Sequence, residues 1–343
     1  MTDKPKLYSV SEIQGKGLGC VATTEIKKGT LILREGASFH HFGHESLDKA
    51  YFEELFQGYL TLSTEDRETY LSLANCFSDQ RAPSPSSIRK MAKVLKYLED
   101  SPIDLPREEA KLVYQIYHTN GFHNGIFFEM SRFNHSCMSN AEYFWNEDTK
   151  TRDLRAIRKI RKCDEITLKY FCPDPEQANM TRDERRYYLG EIYHFHCNCI
   201  GCDLTEEELK IQNERCAEYR KTWAHYKAIK KVNQLMWSTD TSNEIDDLKA
   251  IYKLAKDLKI IGLREILLRI LEEGFDASCY RCIMMIMNGH KRDDFMKNIE
   301  CFASAGYEIS KVVHGPEHSD TLAWQKRKQD PIAFFQSEYG CGK

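Results

Sequence analysis

Between residues 7 and 38, apolar and polar positions alternate over short spans. Leu18, Cys20 and Ala22 share one face, EIKKGT turns the chain at Gly29, and LIL follows. A period of two predicts strands. From residue 45 to 118 the period lengthens. SLDKAYFEELFQGYL and IRKMAKVLKYLED carry apolar residues three and four apart, which predicts helices, and RAPSPSS (81–87) predicts a loop. After Gly121, strand texture returns in GIFFEM, AEYFWNED, DLRAIRKI and EITLKYF. TRDERRYYLGEIY (181–193) reads as a helix, with Thr181 and Glu184 spaced for a capping box. From Thr205 onward helical patterning takes over, in EEELKIQNERCAEYRKTWAHYKAIKKVNQLM, IDDLKAIYKLAKDLKI, LREILLRILEEGF and DDFMKNIECFASAGYEISKVV, and HGPEH breaks it. These read as helix pairs without a fixed-period repeat. The expected fold is α+β. A β-rich half of short strands (1–44 and 119–192) is split by a helical insertion (45–118). A short cysteine-bearing element (193–204) and an all-helical C-terminal domain (205–343) follow.

Composition narrows this plan little. The 343 residues are 41% hydrophobic and 29% charged, enough for two domains of ordinary soluble character. A formal charge of -3 argues against whole-chain attraction to nucleic acid. MTDKPKLYSV lacks the apolar stretch of a secretory signal, and no apolar run approaches a membrane span. The expectation is a cytosolic or nuclear protein without membrane contact, monomeric by default. In such a reducing compartment the 13 cysteines should be free thiols, and a tight cluster of them becomes a metal candidate.

One cluster qualifies. FHCNCIGCD (195–203) places Cys197, Cys199 and Cys202 within six positions. Soft thiolates at this spacing select zinc, and a structural zinc takes four ligands. Spacing leaves the fourth open among His194, His196, Cys163, Cys172 and Cys137. Cys279 and Cys282 form another CxxC, but in a helical apolar run without a second pair, so they read as core thiols. The methionines of 284–287 read as core filling.

GKGLG (15–19), FNHSC (133–137), DEITLKY (164–170) and CNCIGC (197–202) occur in that order. Together they resemble a SET-domain protein methyltransferase with a post-SET cysteine element. The chain is most similar to the SMYD-type branch, in which a C-terminal helical, TPR-like domain follows. The branch's MYND zinc module is absent, since Cys76 alone lies between His40 and His118. The resemblance implies zinc held by Cys137, Cys197, Cys199 and Cys202, clamping the chain back on the core and bringing Tyr193 and Phe195 beside the NHSC segment. It implies S-adenosylmethionine along Lys16, Gly17 and Leu18, with Lys16 near its carboxylate. Asn134 and His135 would bond its amino group and adenine, Asn120 would also contact it, and Phe195 would stack on adenine. Tyr170 matches the catalytic tyrosine, also beside the cofactor, whose hydroxyl orients the amine and helps remove the proton. Tyr193 matches a second tyrosine lining the lysine channel. Glu165 is expected to be structural, bonded to backbone. Cys163 stands where the family usually has glycine, which questions the local turn.

The expected activity is methyl transfer to a lysine side chain of a protein, histone or not, with no direct nucleic-acid partner. Two alternatives stand beside it. One is an inert SET scaffold that binds proteins through its helices; the other is a SET-fold enzyme acting on a small molecule.

Overall fold

The computed structural model describes residues 5–41, 47–77, 85–101, 103–171, 180–236, 241–257, 264–291 and 293–339. Cys172 and positions 81–84 of the expected loop lie outside them.

The alternating stretches form two three-stranded antiparallel sheets. One has the order β1 (Tyr8–Ile13), β2 (Gly17–Ala22), β6 (Glu165–Ile166); the other β3 (Leu31–Gly36), β5 (Thr151–Ala156), β4 (Ala141–Asn146). β1 and β2 pair from Tyr8↔Ala22 to Ile13↔Gly17, so Gln14, Gly15 and Lys16 make their hairpin turn. Gly15 and Gly17 both take φ +73 there, a conformation that glycine adopts without steric cost. Inward positions Tyr8, Cys20, Leu154 and Ile166 meet Phe127, Met130 and Phe133 in one core.

GIFFEM is not a strand. Neighbours Ile126 and Phe127 are both wholly buried while Phe128 and Glu129 are both half-buried, so the run does not alternate. It makes two isolated bridges, Gly125 to Phe122 and Ile126 to Phe39, and then a 3-10 turn at Met130–Arg132. Glu35 on β3 holds that turn, accepting the amides of Glu129 and Met130 at 2.9 and 2.8 Å. DLRAIRKI likewise ends its strand at Ala156, and EITLKYF keeps only two ladder residues plus a parallel bridge from Leu168 to His135.

The insertion is helical: α1 (Lys49–Leu60), α2 (Thr64–Leu71), α3 (Pro85–Asp100) and α4 (Arg107–Asn120). Asp48 and Ser63 cap the first two through side chains that accept the amides of Tyr51 and Asp66. Phe52, Leu55, Phe56, Tyr59, Val113 and Tyr114 give the insertion its own core. The expected loop through Ser87 is shorter than read, because Pro85 opens α3. Proline suits a first helical turn, whose amides lack partners anyway.

α5 (Arg182–Tyr193) has the expected capping box, with Thr181 and Glu184 bonded reciprocally. Then come α6 (Glu206–Met236), α7 (Ser242–Asp257), α8 (Arg264–Met287), α9 (Asp293–Val313), α10 (Ser319–Gln329) and α11 (Pro331–Tyr339). Each of α6 to α9 packs on the next. Cys279 and Cys282 are wholly buried in this helical core, as read. The methionine run is not core: Met284 and Met285 are half-buried and Met287, the last residue of α8, is 75% exposed. The turn after α9 returns to the β half, where Phe144 of β4 packs edge-on against His314 and His318. No described helix is long and apolar enough to cross a membrane.

Candidate active site and metal centre

Geometry brings the distant cysteine and the trio together. The sulfurs of Cys137, Cys197, Cys199 and Cys202 all lie within 4.8 Å of one another. Cys137, 60 positions upstream, sits 3.9 Å from Cys197 Sγ and 3.5 Å from Cys202 Sγ. The other candidates are elsewhere. His194 turns its ring to the insertion, 3.0 Å from the Cys76 carbonyl and 3.2 Å from Ser87 Oγ. His196 and Cys163 are exposed outside the cluster.

Four thiols this close cannot all ionise unaided. Their mutual hydrogen bonds push Cys199 down and Cys202 down to about 7, and raise Cys137 through its bond with Cys197. Soft, crowded donors with a shared charge problem fit one divalent ion. With all four positions taken by thiolates, such an ion would have no open site for chemistry.

Two arginines that sequence reading missed hold this element. Arg186 Nε donates to the Cys197 carbonyl at 3.0 Å and its Nη2 to the Cys202 carbonyl at 3.2 Å. Arg185, 1% exposed, donates to the Met180 and Gly201 carbonyls at 2.7 and 2.8 Å and reaches Cys202 Sγ at 3.6 Å. The only signal in the sequence was a pair of adjacent arginines on a helix leading into the cysteines.

His135 links the cluster to Tyr170. Its Nδ1 accepts the Tyr170 amide at 3.1 Å, and its Nε2 lies 3.3 Å from Cys137 Sγ. Burial pushes its pKa down to about 3, so the ring is neutral. One nitrogen accepts; the other therefore carries the proton and donates to sulfur. The imidazole is spent on this bridge, which leaves only its backbone to meet the expected adenine.

Tyr170, Tyr193, Phe195 and His135 form one aromatic group. Ring centroids are 5.0 Å apart for Tyr170–Tyr193, 6.3 Å for Tyr170–Phe195 and 5.3 Å for His135–Tyr170. Tyr170 donates its hydroxyl proton to the Phe133 carbonyl at 3.0 Å, and Tyr193 donates to the Tyr170 carbonyl at 3.0 Å. Burial raises both phenols above their usual range. The phenolate is thereby disfavoured, which argues against the expected proton-removing role of Tyr170 at neutral pH.

At the other end Glu165 gathers the hairpin residues. It pairs with Lys16 Nζ at 2.5 Å and accepts from Asn134 Nδ2 at 3.0 Å, while Asn134 Nδ2 also reaches the Leu18 carbonyl at 3.1 Å. Glu165 was expected to bond backbone; its carboxylate bonds two side chains instead. A Cβ on Gly19 would meet Asn134 Nδ2 at 2.5 Å, so this approach requires glycine. Lys16, Leu18, Asn134 and Glu165 are thus one contact group, with Gly17 in the turn between. Asn120 is not bonded to it: its Nδ2 donates to the Ala74 and Ile116 carbonyls, each at 2.7 Å.

Residues 17–171 match the SET domain family model. Among its relatives, Schizosaccharomyces pombe "Histone-lysine N-methyltransferase set5" is 24% identical over 223 residues, 64% of this chain and 59% of that protein. Mouse "Histone-lysine N-methyltransferase SMYD3" is 34% identical over 84 residues, 24% of this chain and 18% of that protein. Zebrafish (Danio rerio) "Protein-lysine N-trimethyltransferase SMYD5" is 31% identical over 126 residues, 31% of this chain and 30% of that protein. The chain therefore spans less than two thirds of the length of each. A solved structure of the SET domain of LSMT bound to lysine and AdoHcy aligns with 98% of this chain and 88% of that one, at 11% identity and a TM-score of 0.41.

Proposed function

We propose that this protein transfers a methyl group from S-adenosylmethionine to the side-chain amine of a protein lysine. The supporting observation is Tyr170. Its hydroxyl is fixed on the Phe133 carbonyl, next in sequence to Asn134, and its ring forms a wall with Tyr193 and Phe195. When bound, the cofactor supplies a sulfonium methyl open to in-line displacement by an amine. Lys16, Gly17, Leu18, Asn134, Phe195 and the His135 backbone are the residues proposed to hold it, with Asn120 as a further contact.

The rest falls to the protein. A free lysine has a pKa near 10.4, so it arrives almost wholly protonated. Desolvation between aromatic walls disfavours the ammonium, and the neutral nucleophile gains population. Tyr170 keeps its own proton, which points at Phe133, and its lone pairs remain to accept an N–H of the amine. Alignment then supplies much of the rate. Cys137, Cys197, Cys199 and Cys202 would hold a structural zinc; its part is to keep Tyr193 and Phe195 in place.

The test is label transfer from S-adenosylmethionine into a lysate, with acid hydrolysis to identify methylated lysine. Wild type should label lysine. Tyr170→Phe should lose at least about 100-fold in kcat while calorimetry shows cofactor affinity within about threefold, since an orienting group acts in the transition state. Label confined to the small-molecule fraction would overturn the protein-lysine assignment. Absence of any cofactor binding by the wild type would favour the inert scaffold.

A further inference from the structure

We propose that Arg185 is the built-in counter-charge of the metal centre, and that the cluster retains zinc because of that charge. The inference rests on the zinc reading above. Four thiolates around one divalent ion carry a net charge of about -2. Three of the four cysteines here are buried and the fourth is half-buried, so water screens little of it. An uncompensated buried charge is strongly unfavourable.

Arg185 answers this cost. Among the described residues it is the most deeply buried cation, at 1% exposure, against 6% for Arg152 and 9% for Lys169. Its placement is determined from three sides: Nη1 on the Met180 carbonyl, Nη2 on the Gly201 carbonyl, and a longer Nη1 bond of 3.5 Å to Gln212 on α6. The same Nη2 lies 3.6 Å from Cys202 Sγ. Its Nε is buried with no hydrogen-bond partner among the described residues. A guanidinium chosen for backbone bonding alone would not be expected to leave a donor unmet in a dry site. Charge next to sulfur accounts for the burial; the carbonyl bonds account for the aim. Arg186 has the other half of the work. It is part-exposed and binds the carbonyls of Cys197 and Cys202, not sulfur, so it holds the loop rather than the charge.

Charge and hydrogen bonding separate by substitution. Arg185→Lys keeps the cation and loses the fork; Arg185→Gln keeps amide donors and loses the cation. We would load each purified full-length variant with zinc and follow metal release to a chromogenic chelator. Arg185→Gln should release zinc at least tenfold faster than wild type, and Arg185→Lys within about threefold of it. A second variant tests the coupling. Cys199→His replaces a thiolate by a neutral imidazole and lowers the charge of the centre by one. It should slow release when added to Arg185→Gln and speed release when added to wild type. If Arg185→Gln is insoluble, recovery of soluble zinc-loaded chain by Cys199→His is the expected outcome. Arg185→Gln matching wild type, Arg185→Lys releasing as fast as Arg185→Gln, or Cys199→His acting equally in both backgrounds or failing to restore solubility would each overturn the proposal. Wild type that binds no zinc would instead overturn the metal reading on which it rests.

Discussion

At the scale of single residues, Cys163 shows how a sequence departure is absorbed. It stands where the resembled family has glycine, and it takes φ +68, the left-handed region that glycine tolerates best. The turn is kept because its bonds are kept: the Cys163 amide donates to the Ala22 carbonyl at 2.9 Å and the Asp164 amide to Arg161 at 3.1 Å. A left-handed non-glycine residue costs about 1–2 kcal/mol. Glycine would add back roughly 0.5–1 kcal/mol of unfolded-state entropy cost. Relief outweighs entropy, and the thiol is exposed with no core packing to lose. Cys163→Gly should therefore stabilise the protein by about 0.5–1 kcal/mol in urea unfolding. A lower midpoint would mean that the sulfur does more than occupy the turn.

At the scale of elements, the segment from His194 to Cys202 depends on what grips it. It forms no regular structure of its own. It is held by the sulfurs, by Arg185 and Arg186 of α5, and by His194, whose left-handed backbone ends α5 while its ring bonds the insertion. Stripping the proposed zinc with a strong chelator should free this segment to proteolysis and lower affinity for S-adenosylmethionine at least tenfold, with α6 to α11 still folded by circular dichroism. Unchanged affinity in the stripped protein would remove Tyr193 and Phe195 from the pocket wall. The elements themselves were unequally legible. α5 carried its own start signal in Thr181 and Glu184, and β2 its alternation. GIFFEM carried neither, since its buried positions, 125–127 and 130, follow no period of two. The cysteine trio was visible by spacing. Its partner was not, because a contact spanning 60 positions leaves no local trace, and only the FNHSC resemblance supplied it. The Glu165 contacts were invisible for the same reason: Lys16 lies 149 positions away.

At the scale of the whole molecule, two half-buried histidines occupy the seams between its parts. His118, on α4, lies 5.5 Å from Phe77, which in turn packs 5.2 Å from His194, so it sits where the insertion meets the cysteine segment. His314 sits where the C-terminal helices meet β4, 4.9 Å from Phe144. Burial lowers both from 6.5 to about 4. A lowered folded-state pKa means that the unfolded chain binds the proton first. Stability from these two is full above pH 6.5 and drains as pH falls toward 4. Glu35 opposes them: burial raises it from 4.5 to about 7, so its contribution is full below pH 4.5 and drains as pH rises to 7. Each group changes stability by about 1.4 kcal/mol per pH unit inside its window. Between pH 6.5 and 4.5 these two histidines and His135, lowered from 6.5 to about 3, outweigh one carboxyl, and net stability should fall by about 2.8 kcal/mol per unit of acidification. Urea midpoints across that range would show the slope. Glu35→Gln removes the opposing group and should raise the acid loss by about half, whereas His118→Gln should roughly halve it. A wild-type midpoint that rises toward pH 4.5 would mean that the seams are not held by neutral imidazoles.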